Sequence, residues 1–112
     1  MSACLFCRMI SGDIKAKVEY QDEDLLAIHD INPQAPFHLL VIPKKHVEKI
    51  SDLKEEDSSL SGKLILGAKK IAEKNGWKDY RLVFNNGPEA GQSVYHVHLH
   101  LLSGRRMGWP PG

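Results

Sequence analysis

Ser93-Val94-Tyr95-His96-Val97-His98-Leu99-His100-Leu101-Leu102 sets three imidazoles at two-residue spacing among β-branched, aromatic and aliphatic residues. Successive side chains of a strand point to opposite faces, so this alternation predicts a strand over 94–102 with Val97, Leu99 and Leu101 in the core and all three histidines on the other face. An imidazole titrates near pH 6.5, closest of all side chains to neutrality. A cluster of three therefore suits nucleophilic attack, proton transfer or metal ligation.

The rest of the chain frames that strand. Its 112 residues are enough for one domain that buries its own core. Lysine plus arginine number 15 against 14 acidic residues, with no long like-charge block. That balance lacks the electrostatic footprint of a nucleic-acid or anionic-lipid binder. No stretch approaches the roughly 20 apolar residues of a membrane span, and no signal-peptide core follows Met1, so a cytoplasmic location is expected. There, Cys4 and Cys7 read as a metal half-site, a redox pair or two small buried hydrophobes; with no strand preceding them, metal or packing is favoured.

Outward from the histidines, the pattern predicts an α+β layout with about five mainly antiparallel strands, one long helix and a short N-terminal helix. Residues 4–10 read as the short helix, stopped by Ser11-Gly12-Asp13. Val18–Tyr20, Leu25–Asp30, His38–Ile42 and Tyr80–Phe84 read as the other strands. The long helix spans about Glu55–Lys74, with Leu60, Leu64, Ala68 and Ile71 at helical spacing and Asn75-Gly76 as its stop. Asn85–Gln92 is a glycine-rich connection into the histidine strand. Its backbone N–H groups are expected to cradle a phosphate, and Ser93 adds a hydroxyl able to relay a proton. An imidazole beside such amides suits nucleophilic displacement at phosphorus.

His96-Val97-His98-Leu99-His100-Leu101-Leu102 resembles the signature of the histidine triad (HIT) superfamily of nucleotide hydrolases and transferases. Asp30–Pro36, His38–His46, Gly91–Tyr95 and Trp109-Pro110-Pro111-Gly112 are, in collinear order, similar to its Hint branch of histidine triad nucleotide-binding, phosphoramidase-like proteins. The resemblance implies that residues 1–112 form a single HIT domain. Two copies would join their sheets into one continuous ten-stranded sheet, and the tail of about 104–112 would reach toward the partner's active site. It implies a hydrolase that cleaves nucleoside 5'-phosphoramidates and related conjugates such as acyl-adenylates, releasing a monophosphate such as AMP. The purine ligands expected are AMP, GMP and adenosine.

Carried over by position, His98 is the nucleophile that becomes nucleotidylated, held by a backbone carbonyl of its own strand. His100 contacts the phosphate oxygens, Ser93 passes a proton to the departing amine, and His38 supports the catalytic strand. Asp30 accepts from the ribose, while Asn85, Gly91 and Gln92 contact the ribose or phosphate region. Ile31 belongs to the base pocket; Phe6, Met9, Ile28 and Leu40 fall in the same apolar region. No cofactor is required for catalysis. Zinc-containing members combine a Cys-x-x-Cys pair with two histidines, which implies Cys4, Cys7, His46 and His96 as a structural zinc site.

The glycine-containing 87–92 loop also resembles that of the branch that cleaves dinucleoside polyphosphates, whereas Asn85 and the Trp-Pro-Pro tail favour the phosphoramidase-like branch. Two other readings compete: a metallohydrolase whose metal sits on the triad itself, and a non-catalytic nucleotide-binding or scaffold module.

Overall fold

The computed structural model describes residues 3–112. Helix α1 (Leu5–Ser11) starts where the Cys4 sulfur accepts from the Cys7 N–H, and it stops at Gly12, whose φ of 89° admits the N–H bond back to Met9. Strands β1 (Val18–Gln21), β2 (Leu25–His29) and β3 (Phe37–Pro43) follow as an antiparallel meander. Helix α2 (Ser58–Lys74) then crosses to β4 (Tyr80–Val83), and the chain closes with β5 (Leu99–Ser103). The five-stranded sheet has the order β1-β2-β3-β5-β4 and every pairing is antiparallel.

Period-two patterning divides the core between two faces. Leu25, Ala27, Leu39, Val41, Leu99 and Leu101 meet Leu64, Ala68 and Ile71 of α2. Gly67 permits close approach there, since a Cβ at that position would stand 2.7 Å from Leu25 Cδ1. On the opposite face Leu26, Ile28, Leu40 and Ile42 pack against Phe6 of α1. His38 and His100 share that second face, because His38 lies opposite Leu102 and His100 opposite Leu40.

Two expectations need correction. The histidine strand begins at Leu99 instead of 94, so His96 and His98 lie in the segment that leads into it. Side chains have taken the carbonyls that a ladder there would use: Gln92 Nε2 donates to Val94 O, His98 Nδ1 to His96 O and His96 Nε2 to Pro43 O. The segment is held instead by the Val97 N–H to Val47 O bond of 2.7 Å. The long helix is also shorter than expected, because Glu55–Asp57 forms a separate 3-10 turn in which the Asp57 carboxylate accepts from the Lys54 N–H.

Candidate active site and metal cluster

His98 owes its orientation to the backbone two residues earlier. Its Nδ1 lies 2.8 Å from the His96 carbonyl oxygen, and only an N–H can donate there, so the proton sits on Nδ1 and Nε2 keeps its lone pair. No hydrogen bond among the described residues engages that Nε2. Burial pushes the His98 pKa below its ordinary value, opposed by the His96 carbonyl and Asp30, which favours the neutral imidazole that nucleophilic attack requires.

A second chain of bonds defines His100. The Gln34 N–H donates to His38 Nδ1 at 3.0 Å, which leaves the His38 proton on Nε2. That Nε2 lies 2.9 Å from His100 Nδ1 and 3.4 Å from an Asp30 carboxylate oxygen. His100 Nδ1 therefore accepts, and its own proton stands on Nε2 as a donor. Burial, with His98 and His38 beside it, pushes the His100 pKa down to about 4, so that donor is a neutral N–H at pH 7. Burial likewise lowers His38 against the pull of Asp30.

These groups line a cavity of about 710 Å³. Leu5, Phe6 and Met9 of α1 with Ile28 and Leu40 form its apolar wall. Asp30, His38, His98, His100 and Ser93 form its polar wall. The Phe6 ring stands edge-on to His98 at 5.0 Å and His98 is 5.0 Å from His100, ring centre to ring centre. A phosphorus centre placed here would meet one unprotonated ring nitrogen, one ring N–H donor and one hydroxyl.

Ile31 lies on the rim and is 99% exposed. Asn85, Gly91 and Gln92 are not among the lining residues. The Gln92 side chain instead ties its own loop, accepting from Gly87 N–H and donating to Glu48 O and Val94 O. The expectation of an open cradle is corrected for 90–92, because the N–H groups of Ala90, Gly91 and Gln92 bond to the carbonyls of Gly87 and Pro88 around a 3-10 turn at 88–90. Several contributors escaped sequence reading. The Gln34 N–H and Pro43 carbonyl leave no residue-type signal; Lys15, Lys17 and His29 line the cavity from the α1–β1 connection and the end of β2.

Behind the cavity wall, Cys4, Cys7, His46 and His96 place one ligand atom each within 4.8 Å of all the others. His96 Nε2 donates to Pro43 O at 2.7 Å, so its Nδ1 carries a lone pair, and that atom faces the cluster. It lies 3.3 Å from Cys4 Sγ, 3.6 Å from Cys7 Sγ and 3.1 Å from His46 Nδ1. A tetrahedron with bonds of about 2.3 Å to sulfur and about 2.0 Å to nitrogen has ligand–ligand edges of roughly 3.3–3.8 Å. The observed separations and the two-sulfur, two-nitrogen donor set fit a closed zinc site.

The HIT domain family model matches residues 11–107. An uncharacterised HIT-like protein of Synechocystis is 49% identical over 109 residues, covering 96% of each chain. A 14 kDa zinc-binding protein of Zea mays is 46% identical over 114 residues, covering 99% of this chain and 89% of that one. Among solved structures, a HIT family hydrolase from Legionella pneumophila superposes with a TM-score of 0.95 at 52% identity, over 97% of this chain and 99% of that chain. One from Clostridium thermocellum gives 0.92 at 41%, over 96% of each. The α+β HIT fold expected from the residues is the fold observed.

Proposed function

The chain belongs to the HIT domain family, and from that membership we propose that it is a hydrolase cleaving the P–N bond of nucleoside 5'-phosphoramidates and related nucleotidyl conjugates, acyl-adenylates included. The observation that carries this reading is the His98 Nδ1–H bond to His96 O, which leaves Nε2 unprotonated beside the His100 donor in a cavity with an apolar wall.

In the first displacement His98 Nε2 forms a bond to the α-phosphorus while the P–N bond breaks, and the departing amine takes its proton from Ser93 Oγ. Negative charge on the phosphoryl oxygens meets the His100 Nε2–H. In the second, water oxygen bonds to phosphorus, the Nε2–P bond breaks and the water's proton returns to Ser93, releasing a monophosphate such as AMP. Asp30 accepts from a ribose hydroxyl, and Phe6, Met9, Ile28, Leu40 and Ile31 receive a purine such as that of AMP, GMP or adenosine. Asn85, Gly91 and Gln92 act by shaping the loop that presents Ser93.

Cys4, Cys7, His46 and His96 would hold zinc, which when bound supplies a cross-link between α1 and the histidine segment and no step of the reaction. A homodimer suits the surface, because β4 ends the sheet on one side and α2 exposes Ile65 and Leu66. The 104–112 tail, with Trp109 84% exposed, extends toward the partner in that assembly.

Release of AMP from an adenosine phosphoramidate and from a diadenosine polyphosphate, measured side by side with and without chelator, tests the reading. Faster phosphoramidate turnover, with a kcat at saturating substrate that resists chelator, supports it. Preference for the polyphosphate moves the protein to dinucleoside cleavage. A kcat lost to chelator at saturating substrate while the chain stays folded moves the chemistry to a triad-bound metal, and no turnover of either substrate leaves a nucleotide-binding module.

A further inference from the structure

One short helix serves both the cavity and the metal cluster. α1 directs Leu5, Phe6 and Met9 into the cavity wall, while Cys7 and the capping residue Cys4 enter the cluster. At seven residues it is too short to hold together without tertiary anchors. Phe6, 3% exposed, is one anchor, packed on Leu26, Ile28, Leu40 and Ile42. Met9 and Ile10 pack beside it, and the sulfur ligands are a further anchor.

The two sites also meet through His96 and Phe6. His96 aims Nδ1 at the cluster while its carbonyl oxygen fixes the tautomer of His98. The Phe6 ring stands edge-on to both, 5.9 Å from His96 and 5.0 Å from His98. Without a metal, the first turn of α1 is held by apolar packing of Phe6, Met9 and Ile10 and by the contacts of Cys4 Sγ with His96 Nδ1 and Cys7 Sγ with His46 Nδ1, each 3.3 Å, which are weaker than bonds to a shared metal.

We propose that metal held by Cys4, Cys7, His46 and His96 sets the protein's affinity for nucleotide, the two cysteines acting as positioning residues that keep Phe6 and the α1 wall against His98. The proposal rests on the nucleotide-binding reading above. Stripping the metal lowers the fraction of molecules with a formed wall, and the apparent affinity falls by that fraction. Linkage then requires nucleotide to tighten the metal by the same factor.

The test is an equilibrium one on the full chain, with AMP as probe because it is not turned over. AMP affinity is measured by calorimetry on zinc-loaded and chelator-stripped protein, and zinc affinity by competition with a chromophoric chelator, with and without saturating AMP. The expected result is about a tenfold tightening of AMP by zinc and the same factor for zinc by AMP. Phe6→Ala retains every metal ligand and should bring both factors close to one with zinc still bound. If the stripped chain loses its circular dichroism, His46→Ala, which removes only the exposed ligand, takes its place. Equal AMP affinities for folded loaded and stripped protein would overturn the coupling and leave nucleotide binding standing. Loaded protein that ignores AMP would overturn the underlying reading and the proposal with it, and a chain that takes up no zinc would overturn the proposal alone.

Discussion

His38 Nε2 lies 2.9 Å from His100 Nδ1, and the proton between the two rings belongs to His38 because the Gln34 N–H already occupies His38 Nδ1. The direction of that bond decides that His100 offers a donor to the cavity. His100→Ala should therefore lower kcat by roughly 10²–10³-fold, the usual cost of one donor to a developing oxyanion. His38→Ala, which only frees the ring to turn, should cost on the order of tenfold to a hundredfold. Steady-state kinetics on both variants checks the order; a larger loss for His38→Ala would contradict it.

The same burial makes stability depend on pH. His100 titrates at about 4 when folded against about 6.5 when unfolded, so between those values the unfolded chain binds more protons. Stability contributed by the neutral ring is then complete above pH 6.5, falls as pH drops through that window and is gone below about 4. Urea unfolding at pH 7 and pH 4.5 should show a smaller loss of midpoint for His100→Gln than for the wild-type chain. Equal losses would place the His100 titration elsewhere.

Ser93 lines the same cavity as His98, and in the proposed mechanism it protonates the departing group. Ser93→Ala should slow phosphoramidates of strongly basic amines by about 10²-fold or more, within the span of general acid catalysis, while substrates with good leaving groups change little. A uniform loss across leaving groups would remove Ser93 from that role.

Gly104 has a φ of 97°, and a Cβ there would stand 2.9 Å from Pro36 Cβ and 3.0 Å from the Phe37 ring. The turn it permits brings Arg105 Nε to Gln34 O at 2.9 Å, anchoring the residue whose own N–H orients His38. Gly104→Ala should cost about 2–4 kcal/mol, from left-handed backbone strain together with overpacking. It should appear as a lower urea midpoint at unchanged m value.

Much of this architecture is legible in residue order. Leu25, Ala27, Leu39 and Val41 alternate with Leu26, Ile28, Leu40 and Ile42, and the two sets fill opposite faces of the sheet as period two requires. Helix α2 announces itself through Leu64, Ala68 and Ile71. Strand pattern misleads at 94–98, where Gln92, His96 and His98 divert backbone carbonyls to side chains. Composition misleads at 87–92, where a glycine-rich loop closes on its own N–H groups. The family resemblance implied the carbonyl that holds His98, whereas the bonds that assign the tautomers of His38 and His96 leave no mark in the sequence: they come from the Gln34 N–H and the Pro43 carbonyl, backbone groups that carry no residue-type signal.

Covalent catalysis by His98 is open to rapid quenching of the protein with an adenosine phosphoramidate, followed by peptide mass spectrometry. An adenylyl group is expected on the peptide carrying His98 and is absent in His98→Ala, whose turnover falls by about 10⁴-fold or more. Full turnover in His98→Ala, or an adduct on another residue, would contradict it.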